Sequence, residues 1–337
     1  MAKFYLMLFS LVAIYFINKH RKKIGKKTKL IDRPDKIRKL HKKPIPLLGG
    51  IMFFSSFALI NLYLILRQEL TNISLIILTC CTCCLVLGLI DDIKKLSYKY
   101  KFLILIIIFY FFISLDSNLQ INKIFISTFN KEFYFNYLSI PFTILCLLLL
   151  TNAINLIDGI DGLCILVTII LLIWLINIFQ NIETLHIVLI IPLFYILYLN
   201  LKKNIFFGDA GSLFAGSLVG LNIILNYNIQ IKSINFPVEN IFIGLMLPGL
   251  DMLRVFFIRI LNKKNPFTGD RIHLHHLLTD QGLSSINILM IFFLLIISPI
   301  LFNFFTETNP IIIILFSTLF YVMLVLKLNK LHTLQKK

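Results

Sequence analysis

About eleven apolar runs follow one another along this chain, each near the ~20 residues that a helix needs to cross a bilayer. They occupy residues 4–17, 50–66, 74–90, 102–115, 138–151, 163–179, 185–199, 212–226, 241–260, 286–305 and 310–326. Backbone inside hydrocarbon must satisfy its own N–H and C=O groups, which helices do and open loops do not. The expected fold is an all-α polytopic membrane protein, one integral unit over residues 1–337, and a count of soluble domains does not apply. Composition agrees: 58% of residues are hydrophobic, 15% are charged, and mean hydropathy is +0.88.

Charge sets the threading. A net +17 in a soluble chain would suggest nucleic acid. Here Lys and Arg sit in short loops between apolar runs, where they orient the chain and meet anionic head groups. The expected surface partner is the lipid bilayer, not nucleic acid. No small-x-small cleavage site follows the first run, so it reads as a retained span and not a signal peptide. The basic block from Lys19 to Lys43 comes next and belongs in the cytoplasm, which places the N-terminus outside. An odd number of spans then puts the C-terminus inside, where Lys327, Lys330, Lys336 and Lys337 agree. The inner connections carry Lys94, Lys95, Lys99 and Lys101, then Lys202 and Lys203, then Lys263, Lys264 and Arg271. The connections 181–184, 227–239 and 306–309 are poor in such residues and belong outside. In the longer outer connection, 116–137, apolar and polar residues alternate around Phe129-Asn130-Lys131, which predicts a short β-hairpin. Cys80, Cys81, Cys83, Cys84, Cys146 and Cys164 lie in apolar surroundings and read as small packing residues.

One stretch breaks the pattern: Thr151-Asn152-Ala153-Ile154-Asn155-Leu156-Ile157-Asp158-Gly159-Ile160-Asp161-Gly162-Leu163. A carboxylate costs roughly 2.5–3.5 kcal/mol at a bilayer centre, so acidic groups at the edge of a span mark a site. The two Asp-Gly pairs interrupt the helix and let backbone approach a ligand. Other acidic groups join this stretch on the inner face: Asp91 and Asp92 at the end of the third span, Asp209 at the start of the eighth, and Asp251 in the ninth. Asp270, Arg271, His273, His275 and His276 follow in the next loop.

Paired carboxylates with a third Asp are hard oxygen ligands, suited to Mg²⁺ with Mn²⁺ as the alternative. Lys42, Lys43, Lys95 and Arg271 would hold phosphate charge. Gly208 and Gly211 let backbone amides approach at a helix N-terminus whose dipole favours an anion. The sum is a nucleoside-diphosphate site at a membrane surface. The spacing of His273, His275 and His276 fits no common zinc pattern, so these residues read as sugar or phosphate contacts.

These residues resemble the polyprenyl-phosphate N-acetylhexosamine-1-phosphate transferase family, or glycosyltransferase family 4. The matching stretches are Pro46–Gly50, Gly88–Asp92 with Leu96-Ser97, Asn152–Leu163, Gly208–Ser212, Leu250-Asp251, and Pro266–Leu277. The Asp-Arg-x-His-x-His-His form resembles the branch that transfers N-acetylglucosamine-1-phosphate to undecaprenyl phosphate. Where the family often carries Asn-x-x-Pro-Ala-Lys, this chain has Asn200-Leu201-Lys202-Lys203-Asn204-Ile205.

The resemblance implies an eleven-span fold, Mg²⁺ dependence, a UDP-N-acetylhexosamine donor, an undecaprenyl phosphate acceptor and release of UMP. It implies an active site on the cytoplasmic face of a bacterial inner membrane, making the first lipid-linked intermediate of a cell-surface polysaccharide. By the same resemblance Asp209 is a principal metal ligand; Asp92 would assist or bind metal-bound water, and Asp91 would orient or deprotonate the acceptor phosphate. Asp158, Asp161 and Phe206 are candidate uridine contacts, and Asn152, Asn155 and Asn200 are further binding candidates. Arg271, His273, His275 and His276 would read the sugar and diphosphate. A double displacement through a phospho-Asp stays open, as does a homodimer.

Three other readings compete. The peptidoglycan branch, which transfers phospho-N-acetylmuramoyl-pentapeptide, has a different His motif. A transporter using the inner-face Asp residues would place charges at midplane and show symmetry between halves, and neither is seen. The start of a phosphatidyl-type alcohol transferase motif at Asp158 and Asp161 is not continued by Leu163-Cys164-Ile165-Leu166.

Overall fold

The computed structural model describes residues 2–34, 43–179, 186–265 and 271–335. Long helices occupy the apolar runs. They are α1 (Ala2–Lys19), a short α2 (Arg21–Thr28), α3 (Gly49–Leu66), α4 (Asn72–Lys94), α5 (Tyr98–Ser114), α6 (Ser139–Ile157) and α7 (Leu163–Ile178). After these come α8 (His186–Leu201), α9 (Gly208–Ile234), α10 (Val238–Leu261), a short α11 (Leu274–Asp280), α12 (Ser285–Phe305) and α13 (Pro310–Gln335). Among the described residues eight helices are long and apolar enough to cross a membrane, and α7 and α8 are shorter apolar helices. The chain is thus an all-α polytopic membrane protein. Many large apolar side chains on α1, α5, α12 and α13 point outward, among them Phe9, Ile107, Leu294 and Phe316. Lipid is the surrounding that such a surface requires.

The bundle is built around α9, which 89% burial marks as its most enclosed span. Hydrophobicity drives little association between helices already in lipid, so close packing of small residues takes its place. Gly208, Ala210, Gly211, Ala215, Gly216 and Gly220 supply that surface. Gly50 of α3 faces the Ala210–Gly211 backbone, and Gly88 of α4 faces Asp209 and Ala210, each so closely that a Cβ would collide with main chain. On the other side Gly216 lies against Thr151 of α6. Phe214 fills the space toward α3, with ring contacts to Phe53, Phe54 and Phe57.

Two small sheets complete the fold. Strands β1 (Ile31–Asp32) and β2 (Ile45–Pro46) are antiparallel. The chain after β2 then bonds to the α8–α9 junction: the Phe206 amide donates to the Pro46 carbonyl, and the Gly49 amide donates to the Phe206 carbonyl. At the other end, β3 (Lys123–Ile126) and β4 (Lys131–Tyr134) pair with Ile126 opposite Lys131. This is the hairpin expected in the 116–137 connection. Asn130 turns its corner at φ 48°, a left-handed conformation that Asn tolerates.

Three expectations need correction or fall outside the described residues. The 227–239 segment is mostly helix, because α9 continues to Ile234. Its Asn and Gln residues interrupt the apolar pattern, but their amides are bonded: Asn226 to the Asn222 carbonyl, and Asn228 to the carbonyls of Asn118 and Gln120. Lys327 and Lys330 belong to α13 and not to a tail after it. The 181–184 loop lies outside the described residues.

A testable consequence concerns the α4–α9 contact. Gly88→Val forces overpacking against backbone, at a cost of about 1–3 kcal/mol. The melting temperature of the detergent-purified variant should fall by several degrees, and an unchanged melting curve would refute the close approach.

Candidate active site

The end of α4 carries the first two carboxylates. Lys95 caps α4 in a left-handed conformation, φ 55°, and its amide donates to the Asp91 carbonyl. The Leu96 amide then donates to Asp91 Oδ1 at 2.7 Å. Asp91 thus stabilises the reversal that returns the chain as α5, and this reversal brings Lys101 back. Lys101 Nζ lies 2.8 Å from Asp91 Oδ2 and 3.1 Å from Asp209 Oδ1, and donates to Asn155 Oδ1 at 3.3 Å.

Asp92 does different work. Its two oxygens accept the amides of Asp209 (3.0 Å) and Ala210 (3.1 Å). They therefore cap the first turn of α9 from another helix, where orphan donors and the positive dipole end favour an anion. Gly208, φ +76°, precedes this turn, and a side chain there would run into the Asp92 carboxylate. Asp209 is held by Lys101 and by the Asn155 side-chain amide at 2.6 Å, which also donates to Ser212 Oγ at 2.8 Å. Asp91, Asp92, Asn155 and Asp209, drawn from three helices, therefore meet at one point.

Asp92, Asn155 and Asp209 border a cavity of about 450 Å³. Asp92, Lys95, Asn155, Asp158, Asp161, Asn200, Phe206, Asp209, Arg271 and His276 all line it. Loss of hydration, reinforced by repulsion from Asp209, Asp92 and Asp161, pushes the Asp158 carboxyl well above the usual carboxylate range. Asp161 faces Lys203 at 3.8 Å. Arg271 pairs with Asp280 at 2.9 Å. Burial lowers His276 to about 4, and the Arg271 charge adds to the effect. Burial also lowers His275 to about 3, so both rings are neutral at pH 7.

Other expected residues lie elsewhere. His273 and His275 are buried beside the cavity and do not line it. The His275 ring packs on Gly159 of the Asp-Gly loop and against His276. Asn152 donates to Met252 Sδ at 3.6 Å. Lys43 is exposed and Asp91 sits behind Lys101; neither lines the cavity. Lys42 and Asp270 lie outside the described residues.

In the sequence Lys101 stands out only as a charge that orients the chain, and nothing there places it between Asp91 and Asp209. The short Lys95–Ser97 link was the available signal, since it cannot carry Lys101 far from the Asp pair. Asp32 and Lys203 also line the cavity without having been expected there.

Among the described residues no three His, Cys, Asp or Glu side chains form a metal-binding group. A hard cation that keeps several waters needs only one or two carboxylates. Asp209 meets that need: its Oδ1 takes Lys101 and Asn155, while its Oδ2 has no hydrogen-bond partner among the described residues.

Residues 74–227 match the model of glycosyl transferase family 4. The probable undecaprenyl-phosphate N-acetylglucosaminyl 1-phosphate transferase of Bacillus subtilis is 29% identical over 285 residues, covering 82% of this chain and 76% of its own. The undecaprenyl-phosphate alpha-N-acetylglucosaminyl 1-phosphate transferase of Yersinia pestis is 25% identical over 294 residues, 83% of this chain and 77% of its own. The Haemophilus influenzae protein of that name is 34% identical over 84 residues, 25% of this chain and 23% of its own. The chain thus resembles glycosyl transferase family 4 over residues 74–227 and, over most of its length, the undecaprenyl-phosphate N-acetylglucosaminyl 1-phosphate transferases.

Proposed function

We propose that this protein transfers N-acetylglucosamine-1-phosphate from its UDP-sugar to undecaprenyl phosphate and releases UMP. The observation that carries this reading is the convergence of Asp91, Asp92, Asp209, Asn155 and Lys101 beside a cavity that Asp92, Asn155, Asp209, Arg271 and His276 line. In the membrane the chain spans eleven times, with its N-terminus outside and this cavity on the cytoplasmic face.

The acceptor phosphate has a second pKa near 6 and is largely dianionic at pH 7, so it attacks without losing a proton. Positioning and charge screening are what it lacks. One of its oxygens bonds to the sugar-linked phosphorus, the diphosphate P–O bond breaks, and UMP leaves with the electron pair. The sugar's C1–O bond is untouched. Lys101, aimed by Asp91, screens the meeting of two anions. Asp209, assisted by Asp92, would hold Mg²⁺, which when bound neutralises charge on the diphosphate and on departing UMP. Lys95 and Arg271 bind phosphate oxygens. Phe206 offers an apolar face for uracil, and Asp158, whose carboxyl burial pushes well above the usual carboxylate range, is placed to hydrogen-bond the nucleoside. His276, neutral at pH 7, faces the sugar end.

The reaction is checked by incubating membranes with undecaprenyl phosphate and several UDP-sugars, with Mg²⁺ or with chelator. UDP-N-acetylglucosamine with Mg²⁺ should release UMP and chelator should stop it. Turnover only with UDP-N-acetylmuramoyl-pentapeptide would overturn the reading. Asp209→Ala should abolish release while the protein stays in the membrane, and wild-type turnover there would remove Asp209 from its role. Lys101→Gln deletes one screening charge and should cut kcat by about 10²–10³-fold. A rate within a few-fold of wild type would show that Lys101 only holds apart the carboxylates.

A further inference from the structure

Behind the cavity lies a polar cluster that the transfer chemistry does not use. Asp251 of α10 is 3% exposed and accepts four hydrogen bonds. Its Oδ1 takes Arg254 Nη2 (2.8 Å), Tyr321 Oη (2.8 Å) and the Leu274 amide (3.0 Å). Its Oδ2 meets His273 Nδ1 at 2.8 Å. Arg254 donates from Nε to Tyr321 Oη (2.8 Å) and from Nη2 to the Ile272 carbonyl (2.6 Å).

Three consecutive residues are therefore gripped from one side: Ile272 by its carbonyl, His273 by its ring and Leu274 by its amide. The grip comes from α10, and through Tyr321 it extends to α13. What it holds is the approach to α11. Arg271 stands just before it, His276 and Thr279 lie within it, and all three line the cavity. A carboxylate only accepts, so the His273 nitrogen facing Asp251 carries the hydrogen. The His273 ring then stacks on His275 at 5.7 Å and 8°, and His275 abuts His276. Side chains in contact thus lead from Asp251 to the cavity wall.

We propose that Asp251, with Arg254 and Tyr321, is a positioning residue for the transfer reaction. It touches no substrate. It fixes how residues 271–280 are seated over the cavity, and so links the seating of the donor's sugar-diphosphate end to the packing of α10 against α13. This rests on the transfer reading for its effect on turnover, but the grip itself can be measured without turnover.

Asp251→Asn is the first variant. Asn keeps the shape and still accepts from Leu274 and Tyr321. Its NH₂ group, however, faces His273 Nδ1 and demands the opposite tautomer, and Arg254 loses its charge partner. Loss of one charge-assisted hydrogen bond corresponds to about a 10–100-fold change. Hydrogen exchange followed by mass spectrometry should show amides 272–278 exchanging about tenfold faster or more, with α3, α4 and α9 unchanged. KM for UDP-N-acetylglucosamine should rise about tenfold, with a smaller change in kcat. Tyr321→Phe removes one donor and leaves the Asp251–His273 pair, so both effects should recur at a few-fold. It decides the matter if Asp251→Asn does not fold.

A lower melting temperature with unchanged KM would reduce Asp251 to a staple and overturn the proposal. So would unchanged exchange in residues 272–278. If the wild-type protein releases no UMP from any UDP-sugar, the transfer reading falls, and the exchange comparison still upholds or overturns the grip.

Discussion

Two hydrogen bonds from the first turn of α9 to Asp92 fix the rest of this site. They satisfy amides that helix geometry leaves without partners, at a depth where water is scarce. They also set the register of α9 against α4, and through it the place of Asp209. Lys101 can reach Asp91 and Asp209 together only because that register brings them within its span. A carboxylate that was expected chiefly as a metal ligand is therefore also a helix cap. Its charge is spent partly on structure, whereas Asp209 Oδ2 has no hydrogen-bond partner among the described residues.

Polar groups at a membrane border are costly unless they are paired, and this chain pairs them in two separate networks. One surrounds Lys101 and faces the cavity. The other surrounds Asp251 and holds the segment that leads into α11. Each gathers donors on a hub carboxylate: Asp209 Oδ1 takes Lys101 and Asn155, and Asp251 takes Arg254, Tyr321, His273 and the Leu274 amide. Asn155 serves the first network by joining Asp209 to Ser212, and Tyr321 serves the second by touching both Asp251 and Arg254. Each hub thus does two things at once: it compensates a buried charge and holds together segments that are remote in sequence.

The spans were legible because the physics of lipid-exposed backbone leaves few choices, and apolar runs state that choice directly. The hairpin at β3–β4 was legible from alternation. The 227–239 segment misled because Asn226 and Asn228 look like loop residues, although inside a bundle their amides bond to carbonyls of their own helix or of a neighbour. At the site, residue types and spacing indicated which groups would gather. They did not indicate depth. His273 and His275 stand in the same short motif as His276, but only tertiary packing decides that two face inward and one faces the cavity. Lys101 escaped notice for the opposite reason. Its charge fitted the topology rule so well that nothing called for a second explanation.

The close backbone contacts of α9 with Gly50, Gly88 and Gly216 bear on how the molecule is assembled. Helices α3, α4 and α6 leave the ribosome before α9 does, and they can enter the bilayer before it arrives. Until then the slot between them holds no backbone to receive them, and the amides that Asp92 accepts do not yet exist. Asp92 thus gains its amide partners in the same step that closes the bundle. A chain arrested earlier carries its Asp pair into the membrane border without Asp209. Assembly of the Lys101 cluster and completion of the fold therefore coincide.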